Sequence, residues 1–335
     1  MASTLRRVAI LLCSLVVAVA TSGTAVAGIV DQTRAERAVG YLRSQQQPKG
    51  SIVAFSAIGS TADAVLAIVA AGVAPRVLDD AVAYLRRQTK KGNVNTTGLR
   101  AKVVLAAEAS GRDGTSFGGH DVLGEITETE LPNGRYSGAT VFDQALSVLA
   151  GAAHTGTADP EAAAWLLSAQ CPDGGWEFAR PWKDGRDNDR CRSIADPASD
   201  FFRSDTNTTA YALMAMEPTT PSFAHDPWAY LLSRIDPEFG GWGYTFGFRT
   251  TDANSTALVL QAYTAFGQAL PAGSLDALRA LHHGRCGAFS YSWSGGRRTG
   301  PDLGATIGAI PGLLLLPFPF EQEVAGAPPD VPNCR

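Results

Sequence analysis

Two polar clusters stand where chemistry could be done. Asp205-Thr206-Asn207-Thr208-Thr209 and Asp252-Ala253-Asn254-Ser255-Thr256 each join an acid, an amide and hydroxyls, 47 residues apart. A carboxylate beside such groups can act as a proton donor if its surroundings raise its pKa. The same residue types are also the ones that cap a helix start. Asp302, at the head of a looser third copy, belongs with them. Aromatic residues precede each cluster: Trp176, Phe178 and Trp182, then Trp242, Tyr244 and Phe246, then Tyr291 and Trp293. Aromatic rings interleaved with glycine can stack on a flat ligand. Together these residues form a candidate ligand-binding set: Trp176, Phe178, Trp182, Asp205, Asn207, Trp242, Tyr244, Phe246, Asp252, Asn254, Tyr291, Trp293 and Asp302.

Other chemistries find less support. Asp79-Asp80 and Asp187-Asn188-Asp189 lack the third acid of a magnesium-diphosphate motif. Asp189-Arg190-Cys191 offers two possible zinc ligands, but there is no C-x-x-C and no histidine at ligand spacing. The five histidines do not cluster, and no serine or cysteine sits in a nucleophile motif. No catalytic residue is assigned, Asp205 being the fallback acid, and no metal is expected. The net charge of -4 without a basic block argues against nucleic acid as a partner.

The elements that would position these residues repeat along the chain. A first helix with apolar residues at i, i+3 and i+4 is followed by a glycine-containing turn. A second, more apolar helix follows, then a Gly or Pro break. First helices contain Tyr41-Leu42, Tyr84-Leu85, Trp165-Leu166-Leu167, Tyr230-Leu231-Leu232 and Leu275–Leu281, with Asp121–Thr127 a weak third copy. Turns include Pro48-Lys49-Gly50, Pro132-Asn133-Gly134 and Arg285-Cys286-Gly287. Second helices open with the polar clusters, and with related starts at Thr61, Thr97 and Thr140. Their apolar composition requires cover on most sides. Six such pairs predict an all-α ring with the apolar helices inside: an α/α toroid over residues 28–316, with a Pro-rich tail over 317–335. The three N-x-S/T sequences, at Asn95, Asn207 and Asn254, are read as helix caps.

Residues 1–27 read as a secretory signal: Arg6-Arg7, an apolar run from Val8 to Ala20, and a small-x-small site at Ala25-Val26-Ala27. The run is short for a membrane span. Export predicts a secreted protein or one on the exterior of the cell envelope; a monomer is expected. It also leaves four cysteines in an oxidising compartment. Of the three possible pairings, Cys171–Cys191 and Cys286–Cys334 are favoured: one braces a long loop, the other ties down the tail.

The motif Gln170-Cys-Pro-Asp-Gly-Gly-Trp176 resembles the Q-x-x-x-G-x-W signature of squalene and terpene cyclases and related prenyltransferases. Asp236-Pro-Glu-Phe-Gly-Gly-Trp242 looks like a second copy without the Gln. The resemblance covers about residues 30–316 and implies the α/α toroid. The cyclase acid motif D-x-D-D-T-A aligns with Asp205 to Ala210, where only the first acid is present. Transcobalamin-like members of the wider superfamily are exported, lack acid motifs and bind a flat corrinoid. That resemblance implies a secreted, non-catalytic toroid with a small hydrophobic or flat, corrinoid-like ligand at its mouth and a separate secreted or membrane uptake partner. No other cofactor is implied. The alternative is a degenerate cyclase or prenyltransferase acting on a polyprenyl substrate through Asp205.

Overall fold

The computed structural model describes residues 21–179, 191–192, 202–245 and 249–334. Twelve helices among them alternate between two rings. The outer ring contains α1 (Thr21–Gln45), α3 (Pro75–Lys90), α5 (Gly124–Thr127), α7 (Pro160–Ser168), α9 (Pro227–Ser233) and α11 (Ser274–Ala280). The inner ring contains α2 (Ala57–Ala71), α4 (Thr97–Ala109), α6 (Val141–Thr155), α8 (Thr206–Met216), α10 (Ala253–Ala265) and α12 (Leu303–Leu313). Each inner helix packs on the next, and α12 packs on α2, so the ring closes. This is the α/α toroid expected from the repeats. The weak third copy is visible as α5, a single turn.

The division of labour follows from composition. Outer helix α3 buries Val77, Leu78, Ala81, Val82 and Leu85 and exposes Arg86 and Arg87. Inner helix α2 buries twelve of its fifteen residues, because neighbours flank it on both sides and an outer helix covers its back. Small residues set the spacing between inner helices. On α12, Gly304, Gly308 and Gly312 lie on one face. A Cβ at these positions would strike Phe55, Asn254 and the backbone of Ala257. Larger residues there would force α12 away from α10.

One contact recurs in four sectors. The residue after the inter-helix turn donates its backbone N–H to a threonine hydroxyl in the first turn of the inner helix. The pairs are Ile52 to Thr61, Trp176 to Thr209, Trp242 to Thr256 and Phe289 to Thr306, all 2.9–3.0 Å. In the third sector Gln144 Oε1 takes the N–H of Tyr136 instead. The turn is also tied outward. Gly174, at φ +93°, lies against the carbonyl of Asp226 at the start of α9, where a side chain would collide.

Both favoured disulfides are formed, Cys171–Cys191 and Cys286–Cys334. The linkers on the side of the inner-helix N-termini carry three two-stranded ribbons. These are β1 (Trp176–Glu177) with β2 (Ser204–Asp205), β3 (Phe289–Ser290) with β6 (Pro301–Asp302), and β4 (Trp293–Ser294) with β5 (Arg297–Arg298). The tail begins at the opposite end of the ring and then runs along α1, where Pro329 O lies against Gly40. Ala325 N–H donates to Gly72 O, Gly326 O accepts from Ala74 N–H, and Asp330 pairs with Arg43. The disulfide at Cys334 closes the strap. Near its start, Phe318 is buried and stacks on Tyr211 of α8. No described helix is long and apolar enough to cross a membrane. Helix α1 begins at Thr21, so the expected cleavage point after Ala27 lies within its first turns.

Candidate functional site

The acids that drew notice in the sequence are built into the frame. Asp205 is fully buried. Its Oδ1 accepts from Thr208 N–H at 2.7 Å and its Oδ2 from the Thr208 hydroxyl at 2.8 Å. Asp252 repeats this with Ser255, at the same two distances. Asp302 caps α12 through Ala305 N–H. Each carboxylate thus satisfies N–H groups that a helix start leaves open. Burial pushes Asp205 up to about 7 and Asp252 up to about 6, against the pull of those hydrogen bonds. Such values suit an acid-base group, and neither carboxylate is among the residues that line the axial cavity described below.

The aromatic set divides in a similar way. Trp176 and Trp242 were expected at a ligand-binding mouth, and both are fully buried. Their indole N–H groups donate to Leu166 O and Leu231 O at 2.8 and 2.7 Å, the last turns of the adjoining outer helices. A large ring with one polar edge fills the gap between two helices and satisfies a helix-end carbonyl. That is why the structure uses tryptophan in the frame. Phe178 stacks on Phe142 of α6, and Trp293 lies parallel to Phe239 at 4.6 Å. Tyr244 and Asn207 are half-buried, and Tyr291 is exposed. Trp182 and Phe246 lie outside the described residues. The cap expectation at the three N-x-S/T asparagines does not hold. The capping side chains are Thr96, Asp205 and Asp252, and Asn207 and Asn254 occupy the second helical positions behind them.

One residue of the expected set, Asn254, lines the cavity on the ring axis. This cavity has a volume of about 120 Å³. Phe55 stands at its rim, exposed, just before α2. Ser60, Asp63 and Leu66 form a helical stripe down α2; Asn254, Leu258 and Gln261 form another down α10. Tyr211 and Ile307 contribute from α8 and α12, and Phe318 of the tail closes the cavity at depth. These stripes follow from the 3.6-residue repeat, which turns every third or fourth residue of an inner helix to the axis.

The polar groups in this cavity are unevenly satisfied. Asp63 pairs with Lys102 of α4 at 2.7 Å, which leaves the pair neutral overall. The Tyr211 hydroxyl is pushed upward by burial and by the Asp63 carboxylate, so it stays protonated. Gln261 is 1% exposed; its amide N–H donates to Ala257 O at 3.2 Å, which fixes the orientation of the amide. Its Oε1 has no partner among the described residues, and neither has Asn254 Oδ1. Two buried amide oxygens without donors are costly in a folded chain. Both residues line the same cavity.

Sequence reasoning overlooked this stripe because it sought clusters. Asp63 belongs to the polar start of α2 with Ser60 and Thr61, and the available signal for Gln261 was a lone polar side chain inside the apolar helix α10. Nothing in the pattern of the tail placed Phe318 at the axis.

No family model matches the sequence, and no curated protein matches it. Solved structures do match in fold. A type II terpene cyclase from Scytonema, in complex with geranylgeranyl dihydroxybenzoate, superposes with a TM-score of 0.56 at 14% identity, over 86% of this chain and 98% of the other. The GH76A alpha-1,6-mannanase of Salegentibacter sp. HEL1_6 gives 0.56 at 11% identity, over 86% and 98%. A D-mannose isomerase gives 0.55 at 11%, over 85% and 97%. Three such different activities on one toroid show the fold and leave the function to the site.

Proposed function

We propose that this chain is an exported α/α toroid that binds a small molecule in its axial cavity and performs no chemistry on it. The observation that carries this reading is the cavity between the inner helices, whose apolar lining of Phe55, Leu66, Leu258, Ile307 and Pro311 is joined by the polar residues Asp63, Tyr211 and Asn254. The reading agrees with the transcobalamin-like resemblance in export and in binding without reaction, and departs from it in ligand size. An engineered 150 Å³ apolar cavity takes a benzene ring, so a volume of about 120 Å³ suits a ligand of about one ring. Two disulfides are compatible with export. The cyclase alternative is weakened because only the first acid of the cyclase motif is present, at Asp205.

Protein-observed NMR with a fragment library tests the reading. Shifts are expected at residues of α2, α8, α10 and α12 that line the axis. They should vanish in Leu258→Trp, which fills the cavity. Fragments that bind wild type and Leu258→Trp alike would overturn the axial site. Intact mass of the exported protein should show loss of residues 1–27 and both disulfides.

A further inference from the structure

A second opening lies away from the axis, beside the Cys286–Cys334 disulfide. It is a groove of about 410 Å³. His283 and Arg285 come from the turn after α11, Arg298 from β5 and Pro301 from β6, while Pro332 and Asn333 come from the tail. None of these residues lines the axial cavity. Among the described residues, the lining holds three basic side chains and no acid.

The acids of the adjoining elements are occupied elsewhere. Asp31 of α1 pairs with Arg34 and Arg279, Asp276 of α11 with Arg279, and Asp330 of the tail with Arg43. Glu36 accepts from the Gln32 amide, and Asp302 caps α12. The arginines around the groove turn to backbone carbonyls instead. Arg37 donates to Arg285 O at 2.6 Å, and Arg298 Nη1 donates to His282 O at 2.5 Å and to Ala280 O at 3.3 Å. The Arg285 guanidinium has no hydrogen bond or ion pair among the described residues. The two histidines register this crowding of like charge. Burial lowers His282 to about 4, and Arg34, Arg37, His283 and Arg298 act in the same direction. His283 is lowered by burial and by Arg298. Every charge acting on the two rings is positive.

We infer that this groove is a second binding site, which takes a phosphate monoester through Arg285 and Arg298. A guanidinium fork matches two oxygens of a phosphate group. Arg285 offers its whole fork. Arg298 is anchored through Nη1 and keeps Nε and Nη2 for the ligand. A phosphate monoester carries close to two negative charges at neutral pH, which answers two guanidinium groups; a carboxylate carries one. The groove has more than three times the volume of the axial cavity, so it has space for the alcohol portion of the ester as well. Pro301, Pro332 and the disulfide offer that portion apolar surface, and Asn333 offers an uncharged amide. This site is separate from the axial cavity and stands or falls without it.

Amide shifts in protein-observed NMR test it with glycerol 1-phosphate, inorganic phosphate, acetate and glycerol. The full chain is compared with Arg285→Gln, Leu258→Trp and Arg86→Gln, Arg86 being an exposed arginine of α3. Glycerol 1-phosphate should shift the amides of Gly284, Gly287 and Asn333 saturably, about tenfold more tightly than acetate, and glycerol should leave them in place. Arg285→Gln should weaken glycerol 1-phosphate about tenfold, the scale of one lost hydrogen bond to a charged group. Leu258→Trp and Arg86→Gln should change nothing. Sedimentation with vesicles of equal parts phosphatidylcholine and phosphatidic acid, lost in Arg285→Gln, would put the phosphate on a lipid; soluble binding alone would put it on a free ester. Inorganic phosphate binding as tightly as glycerol 1-phosphate would overturn the ester class. Equal weakening by Arg86→Gln and Arg285→Gln would show diffuse attraction and overturn the site, as would the absence of any saturable shift together with no vesicle binding.

Discussion

The first turn of α10 and the axial face two turns further along it make a telling pair. At the first turn, Asp252 looks like a catalytic acid and sits beside Ser255 and Thr256. Every one of those side chains is occupied by the frame. Further along, Gln261 looks like an ordinary polar residue in an apolar helix. It lines the axial cavity, and its buried side-chain oxygen has no partner among the described residues. Chemical character in the sequence and chemical availability in the fold therefore run in opposite directions. Groups that repeat in several sectors build the ring. Groups present in one sector are free to do something else.

If that contrast is right, damage to the frame should cost stability, and damage to the lumen should cost binding. The largest effect is expected at Trp242. Replacing it by alanine empties a fully buried site and frees Leu231 O, a loss of about 3–5 kcal/mol in denaturant unfolding. A loss below about 1 kcal/mol would mean that the turn is held by other contacts. Asp252→Ala comes next, at about 1–3 kcal/mol, because the cap on Ser255 N–H and the partner of its hydroxyl vanish together.

The pH dependence gives a finer test of the same side. Asp205, at about 7 when folded, keeps its proton in a range where the unfolded chain, near 3.8, has lost it. Between pH 4 and 7 the folded state binds more protons at this position, so its contribution to stability falls as pH rises. Asp252 acts likewise up to about pH 6. His282, lowered to about 4 by burial and by Arg34 and Arg37, works in the opposite direction. The difference between wild type and Asp205→Asn isolates the first term. The wild type's melting temperature should drop relative to the variant's between pH 5 and pH 8. Parallel curves would show that the carboxylate stays ionised in the fold.

The smallest stability effect is expected in the lumen. Gln261→Leu keeps the volume and removes an orphaned oxygen. Stability should change by less than about 1 kcal/mol, with an increase more favoured than a loss. A loss of several kcal/mol would show that Gln261 belongs to the frame.

Much of the fold was legible in the chain. Helical spacing, glycine turns and polar starts recur often enough to give six pairs, and apolar inner helices require a closed ring. The disulfide pairing followed from which loops needed bracing. The site was less legible for a physical reason. Helix capping and proton transfer draw on the same residues, so Asp205 and Asp252 carried one signal with two meanings. The aromatic turns had the same ambiguity, since Trp176 and Trp242 serve packing with the same rings that would serve stacking. Asn254 was found because it lies next to a cap. Gln261 and Tyr211 stand alone in apolar helices, where only the direction of the helix face shows their place. Phe318 reaches the axis through the path of an irregular tail, which no periodicity encodes.

The central claim is that the axial cavity, and not the capping acids, makes the site. It is tested most directly by fragment binding, read by protein-observed NMR, to wild type, Asp205→Asn and Leu258→Trp under one condition. The account predicts equal binding to wild type and Asp205→Asn and loss of axial binding in Leu258→Trp. Loss of binding in Asp205→Asn, with Leu258→Trp unaffected, would contradict it.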